Sequence, residues 1–203
     1  MAKISAIFSD VGGVLGTNAW DRAERRKAAE KFKLDRKDFE SRHELVVNAF
    51  EVGKMSLDEY LDHTVFCRPR HFSREEFVAF MKEQSQPFAA ALALFEKLAS
   101  SRQYFLATLN NESLDLNSYR IGTFGLKKCF SLFLSSCYLG VKKPDAAIFQ
   151  MALWLTQRPP QECLFIDDRA LNTEAARRCG MHAIQCLDPS KLERQVREAG
   201  VSW

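Results

Sequence analysis

The nine residues from Ile7 to Leu15 constrain the fold more than any other stretch of the chain. They read Ile-Phe-Ser-Asp-Val-Gly-Gly-Val-Leu, so an apolar run ends at Asp10 and a pair of glycines follows. A short apolar run that is closed by a turn signal is typical of a buried β-strand. We therefore predict a strand over residues 4–9 with Asp10 at its carboxyl end, where open parallel sheets bind their ligands.

The remainder of the chain divides into a helical part and an alternating part. After residue 86, apolar segments at 104–108, 131–135, 163–166 and 182–186 alternate with helical patterns. Such alternation predicts a three-layer, Rossmann-like α/β core with a parallel sheet. Residues 18–85 show helical patterns only, including capping boxes that begin at Ser56 and Ser73. We expect a discontinuous core of residues 1–17 and 86–203, with an inserted all-helical cap over residues 18–85.

Charge and cysteine usage narrow the class of protein. The chain has 29 basic and 26 acidic residues among 203, which gives no sign of an electrostatic nucleic-acid binder. No apolar run approaches the ~20 residues that a membrane helix needs. The six cysteines form no C-x-x-C pair, which favours free thiols over disulfides or a zinc site. The first residues lead almost directly into the predicted first strand, so we expect no signal peptide and a cytoplasmic protein. No pattern indicates an oligomeric state.

Polar residues follow three of the predicted strands. Because the carboxyl ends of parallel strands share one edge of a sheet, these groups are expected to converge there. Taken singly, each has a plain structural explanation, such as a turn, a helix cap or a solvated loop. The clusters are Asp10, the run Thr108-Leu109-Asn110-Asn111, the pair Asp167-Asp168, and a basic turn, Lys142-Lys143-Pro144.

In this order the clusters resemble the four motifs of the haloacid dehalogenase superfamily, whose members are mostly phosphatases. Asp10 to Leu15 matches the first motif, Thr108 the second and Lys143 the third. The acidic pair with Asn172, four residues after Asp168, matches the fourth. The predicted helical cap is similar to that of the branch with sugar-phosphate phosphatases of the glucose-1-phosphate type.

The resemblance implies a hydrolase that acts on a small phosphorylated metabolite through an aspartyl-phosphate on Asp10. It implies Mg²⁺ as cofactor, held by Asp10, the Gly12 carbonyl and Asp168, with Asp167 and Asn172 as further or outer ligands. Lys143 would neutralise charge, while the Thr108 hydroxyl and the Leu109 amide would donate hydrogen bonds to the phosphoryl group. Asn110 and Asn111 either contact the leaving group or cap the next helix. For His43, in the predicted cap, we favour a structural role over contact with the substrate.

Gly12 departs from the pattern of most related phosphatases, which have an aspartate there as general acid and base. Such proton transfer is typically worth about 10²–10⁴-fold in rate. We therefore expect a Mg²⁺-dependent phosphatase whose substrates have good leaving groups. One alternative is a dehalogenase that attacks carbon with Asp10. The other is a weakly catalytic module that binds a phosphorylated ligand or a protein.

Overall fold

The computed structural model describes residues 3–203, and a parallel sheet of five strands lies at its centre. The strands are β1 (Ala6–Ser9), β2 (Phe105–Asn110), β3 (Leu132–Ser135), β4 (Cys163–Asp167) and β5 (His182–Gln185). Their order is β3-β2-β1-β4-β5, so the strand before Asp10 is central and the ends of β2 and β4 flank it. The predicted parallel α/β core is confirmed.

Ten α-helices accompany the sheet in the described part of the chain. Four precede β2 within the predicted cap: α1 (Arg22–Lys31), α2 (Arg36–Glu51), α3 (Leu57–Thr64) and α4 (Arg74–Glu83). The other six are α5 (Ala89–Ser101), α6 (Leu114–Thr123), α7 (Ser136–Leu139), α8 (Ala146–Thr156), α9 (Ala170–Arg178) and α10 (Leu192–Glu198). The capping boxes at Ser56 and Ser73 are both present, at the starts of α3 and α4.

Each face of the sheet is covered by its own helices, because the buried strands are apolar on both sides. On one face, Ile7 and Leu106 pack with Phe95 of α5 and Val196 of α10. On the other face, Phe8 and Leu109 pack with residues of α8 and α9. Successive side chains of β1 and β2 point to opposite faces of the sheet, so only residues on the same face near the strand ends can contribute to one site.

The helical segment, by which we mean residues 18–85, has a separate hydrophobic cluster. Phe77 is fully buried at its centre and contacts the rings of Trp20, Phe32 and Phe39. Close aromatic pairs of this kind add about 0.5–1.5 kcal/mol beyond the burial of their area. The cluster fixes the relative positions of α1, α2, α3 and α4, and hence of the side chains that they turn toward the sheet.

The two connections of the helical segment lie side by side. Thr17 donates from its hydroxyl to the carbonyl of Gln84 at 2.5 Å, and its amide donates to the carbonyl of Gln86 at 2.9 Å. Gly16 also forms an antiparallel bridge with Pro87. Within residues 3–203, no helix combines the length and the apolar character that crossing a bilayer would need.

Several element bounds differ from those expected from the sequence. β1 begins at Ala6 rather than at residue 4, and β2 extends to Asn110 instead of ending at residue 108. The short helix α7 was not expected, and α6 begins at Leu114 rather than at residue 118. Residues 1 and 2, which the predicted core includes, lie outside the described residues. The longer β2 matters most, since it changes which residue stands at the strand end.

Candidate active site

Asp10 lies directly after the central strand and is nearly buried. Its amide donates to the carbonyl of Ile166 at 2.8 Å, which holds its backbone against β4. Its Oδ1 accepts from the amide of Val11 at 2.7 Å, and its Oδ2 lies 3.0 Å from Nζ of Lys143. The structure therefore brings together the residues that the sequence predicted as nucleophile and neutralising cation.

Lys143 links two of the predicted acidic residues. Its ammonium also donates to Oδ2 of Asp167 at 2.5 Å, and both side chains are buried. Asp167 has further donors: the amide of Arg169 at 2.8 Å, and Nδ2 of Asn172 at 3.0 Å from each carboxylate oxygen. With its oxygens occupied in this way, Asp167 is suited to orienting Lys143 and Asn172.

Asp168 is the second acidic residue after β4, and its environment is different. Its Oδ2 accepts from Nδ2 of Asn18 at 3.1 Å, whereas its buried Oδ1 has no hydrogen-bond partner among residues 3–203. One carboxylate oxygen from each of Asp10, Asp167 and Asp168 falls within 4.8 Å of the others. A Cβ at Gly13 would lie 2.4 Å from the Asp168 carboxyl group, so this approach requires glycine.

The electrostatics of the cluster favour bound positive charge. Burial raises the pKa of Asp10 to about 7, Lys143 opposes this shift, and the charges of Asp167 and Asp168 add to it. Burial also raises the pKa of Asp168. The pKa of Lys143 is raised, because Asp10 and Asp167 outweigh the opposing effect of burial on the ammonium. Three carboxylates beside one ammonium leave an excess of negative charge that a cation would relieve.

Thr108 and Leu109, the predicted phosphate donors, do not line the cavity beside Asp10. Ser9 pairs with Thr108, so Thr108 lies one residue short of Asp10 along the sheet. Thr108 also falls on the face of Leu106 and Ile7, whereas Asp10 continues the face of Ala6 and Phe8. Leu109 is fully buried inside β2. The role of both residues as phosphate donors stays a prediction, and the buried hydroxyl of Thr108 has no hydrogen-bond partner among residues 3–203.

Neither Asn110 nor Asn111 caps the next helix, whose N-cap is Ser113, and contact with the leaving group stays a prediction. Asn110 donates to Oδ1 of Asn117 at 3.0 Å and accepts from the hydroxyl of Ser135 at 2.9 Å. Asn111 pairs with the backbone of Lys143: its Oδ1 accepts from the amide and its Nδ2 donates to the carbonyl, both at 2.8 Å. Asn111 therefore positions the loop that carries Lys143, and it also lines the cavity.

Gly12 faces a buried ion pair that sequence reasoning missed. A Cβ at Gly12 would lie 2.7 Å from Oδ1 of Asn18 and 3.7 Å from Nη1 of Arg120. The same Nη1 donates to Glu112 at 3.1 Å, and Nη2 donates to the carbonyl of Thr17. Glu112 could have been suspected, since it directly follows the two asparagines at the end of β2. Nothing in the sequence distinguishes Arg120 from an ordinary helix-surface arginine.

The cavity has a volume of about 650 Å³ and lies between the sheet edge and the helical segment. Asp10, Gly12, Asn111, Lys143 and Asn172 line it from the sheet side. The helical segment contributes Trp20, Arg25, His43, Val47 and Glu51. This volume falls within the usual range for small-molecule sites. Mixed polar and charged walls suit a hydrophilic organic molecule.

Sequence comparison finds a phosphatase among the relatives of the chain. The chain is 32% identical over 114 residues, 55% of its length, to the phosphoserine phosphatase of Thermus thermophilus. It spans 46% of the length of that relative.

Two solved structures illustrate the fold similarity. One is an HAD family enzyme from Bacteroides thetaiotaomicron in complex with magnesium and inorganic phosphate. It aligns with a TM-score of 0.75 and 21% identity, and the alignment covers 89% of this chain and 93% of that one. The other is the L-2-haloacid dehalogenase from Xanthobacter autotrophicus. It aligns with a TM-score of 0.66 and 15% identity, and the alignment covers 96% of this chain and 98% of that one. The family of haloacid dehalogenase-like hydrolases matches residues 4–180, nearly the whole chain. The chain therefore belongs to the haloacid dehalogenase-like hydrolases.

Proposed function

We propose that this hydrolase is a Mg²⁺-dependent phosphatase of small phosphorylated metabolites, with Asp10 as nucleophile. The observation that carries the proposal is the cluster of Asp10, Asp167 and Asp168 around Lys143. A dianionic phosphate cannot approach three carboxylates unless their charge is compensated. One ammonium leaves that compensation incomplete, so the site is suited to a phosphate that arrives with a divalent cation.

The donor set fits magnesium, which prefers oxygen ligands. The candidate ligands are the carboxylates of Asp10 and Asp168 and the carbonyl of Gly12. The buried and unpartnered Oδ1 of Asp168 supports this assignment, since a buried acceptor without a partner is costly. When bound, magnesium would neutralise phosphate charge. Asp167 and Asn172 are assigned to holding the neighbouring groups in place.

The reaction then follows from the residues of the chain. An oxygen of Asp10 bonds to phosphorus while the bond from phosphorus to the leaving oxygen breaks, which gives an aspartyl-phosphate. Water next attacks phosphorus, and the bond to Asp10 breaks to release inorganic phosphate. Lys143 stabilises the negative charge in both steps. Gly12 supplies no proton to the leaving oxygen. The favoured substrates are therefore those whose leaving group departs readily as an anion.

The test is the release of phosphate from sugar 1-phosphates, phenyl phosphate and acetyl phosphate, with Mg²⁺ or with EDTA. We expect release with Mg²⁺ only, and a background rate in Asp10→Asn. Asp58→Asn is the matched control, because the Asp58 side chain is 78% exposed on the helical segment. A second readout is thermal: Mg²⁺ should raise Tm in the wild type and less in Asp168→Asn, because a ligand of the native state stabilises it.

Two results would contradict the proposal in different ways. Halide release from 2-haloacids without metal would identify a dehalogenase, which is less compatible with the acidic cluster because its substrate is a carboxylate. A Tm that rises with Mg²⁺, without turnover of any phosphate, would identify a binding module.

A further inference from the structure

A buried hydrogen-bonded chain runs through the helical segment to the cavity. Nε1 of Trp20 donates to Oη of Tyr60 at 2.9 Å, and Oη lies 2.8 Å from Nδ1 of His43. The ring of Phe50 stacks on that of Tyr60, with centroids 4.2 Å apart. His43 is 6% exposed and Tyr60 is fully buried, so the arrangement is fixed by its packing.

The order of donors in this chain sets the tautomer of His43. An indole N–H only donates, so Tyr60 Oη accepts the hydrogen bond from Trp20. The hydroxyl proton of Tyr60 then needs an acceptor, and Nδ1 of His43 is the nitrogen within reach. Nδ1 therefore carries no proton, and the remaining N–H of the ring is at Nε2. Nε2 has no hydrogen-bond partner in the described part of the chain.

His43 is also kept neutral. Burial and then the nearby charge of Arg25 lower its pKa to about 4, from 6.5. Two charged neighbours in the cavity wall are already paired: Arg25 with Glu40 at 2.9 Å, and Glu51 with Lys142 at 2.8 Å. His43 thus contributes an uncharged N–H donor in a wall whose adjacent charges are compensated.

We propose, on the basis of the function proposed above, that His43 is a specificity residue whose Nε2–H donates to an uncharged oxygen of the leaving group. His43 and Asp10 line the same cavity, so a substrate attacked by Asp10 can extend to His43. A neutral donor suits a hydroxyl or carbonyl oxygen, and the nearby carboxylates of Glu51 and Glu112 are already paired with Lys142 and Arg120. The substrate class is a phosphate ester of an uncharged, hydroxylated compound.

Two substitutions at His43 separate the roles of its nitrogens. In His43→Gln the amide nitrogen replaces the Nε2 donor. In His43→Asn the amide oxygen replaces the Nδ1 acceptor for Tyr60, but the Nε2 donor is lost. The probes are a hexose 1-phosphate and its series of monodeoxy analogues, with phenyl phosphate as the substrate that lacks hydroxyl groups.

We expect the wild type to lose about 10-fold in kcat/KM when one particular hydroxyl is removed, the usual size of one hydrogen bond. This penalty, taken as the ratio of kcat/KM values within each variant, should vanish in His43→Asn and persist in His43→Gln. The inference about His43 is overturned if the wild type hydrolyses phenyl phosphate but His43→Asn shows the same penalties as the wild type. That result leaves the proposed function intact. A wild type that hydrolyses none of these phosphates overturns the proposed function.

The tautomer provides a readout that does not depend on catalysis. Nitrogen-15 NMR of the histidine side chains should show His43 protonated at Nε2 only, at pH 7. In Tyr60→Phe the donor to Nδ1 is removed, and we expect a mixture of the two tautomers. A wild-type signal with the proton on Nδ1, or on both nitrogens, would contradict the assignment.

Discussion

Gly12 faces a space already bounded by Asn18 and Arg120. The end of the Asn18 side chain would be 2.7 Å from an added Cβ, so Asn18 must move for any larger residue to fit. The guanidinium of Arg120 lies next to it, and its partners Glu112 and the Thr17 carbonyl hold it there. A carboxyl group introduced at this position would therefore meet a fixed positive charge.

Adding the acid that most related phosphatases use should give little benefit in this protein. In Gly12→Asp, Arg120 would keep the new carboxyl group ionised, and an ionised group cannot protonate a leaving oxygen. We expect kcat for alkyl phosphates to rise less than about 10-fold, below the usual range for general acid catalysis. The check is kcat for an alkyl and an aryl phosphate, with Gly12→Ala as the control for the displaced Asn18. A gain of about 100-fold on the alkyl ester alone would contradict this expectation.

At the scale of elements, the end of β2 holds the loop that follows α7. Asn111 makes two hydrogen bonds to the backbone of Lys143, and Lys143 in turn contacts Asp10 and Asp167. The position of the ammonium thus depends on a side chain from a different element. The conformation of the loop that carries Lys143 is therefore held by Asn111, the residue that follows β2.

Loss of this connection should reduce catalysis more than stability. In Asn111→Ala, Lys143 loses both backbone contacts, and a displacement of about 1 Å can cost about 100-fold in rate. We expect kcat/KM to fall by about 10- to 100-fold and inorganic phosphate to inhibit less strongly. The measurement is steady-state kinetics with product inhibition. Asn48→Ala, at an exposed position of α2, is the control. Unchanged kinetics in Asn111→Ala would exclude this positioning role.

The positions of the strand ends largely determined which site residues could be predicted from the sequence. Asp10, Asp167 and Asp168 were predictable, because an apolar run that stops at a polar residue marks the edge of a parallel sheet. Lys143 was predicted from the basic turn that resembles the third family motif. Thr108 was expected at the end of β2, but β2 continues two residues further, to Asn110. A threonine inside an apolar run fits a strand as well as it fits the end of one. The contribution of Arg120 and His43 depends on packing between distant segments, which no local pattern encodes.

At the scale of the whole molecule, the neutral His43 links stability to pH. The unfolded chain binds a proton there with a pKa near 6.5, and the folded protein only with a pKa of about 4. Protons therefore favour the unfolded state, and this contribution to stability is lost as the pH falls from 7 toward 4. Asp10, with its pKa raised to about 7, has the opposite effect over part of this range.

Comparing the wild type with His43→Gln separates the effect of the His43 imidazole on stability from that of the acidic residues. We expect the free energy of unfolding of the wild type to fall, relative to that of His43→Gln, by about 2 kcal/mol between pH 7 and pH 5. Urea denaturation at several pH values, without added metal, measures this difference, since Asp10 titrates in both proteins. Parallel stability curves would show that His43 is not held neutral in the folded state.

The hydrogen bond between Asn18 and Asp168 joins the first residue of the helical segment to the carboxylate assigned to the metal. Thr17, the preceding residue, is bonded to the return connection at Gln84 and Gln86. The connection to the helical segment and the proposed metal ligand are thus joined by two adjacent residues of the chain. A cation held by Asp168 would thus be connected, through the single side chain of Asn18, to the point at which the helical segment joins the sheet.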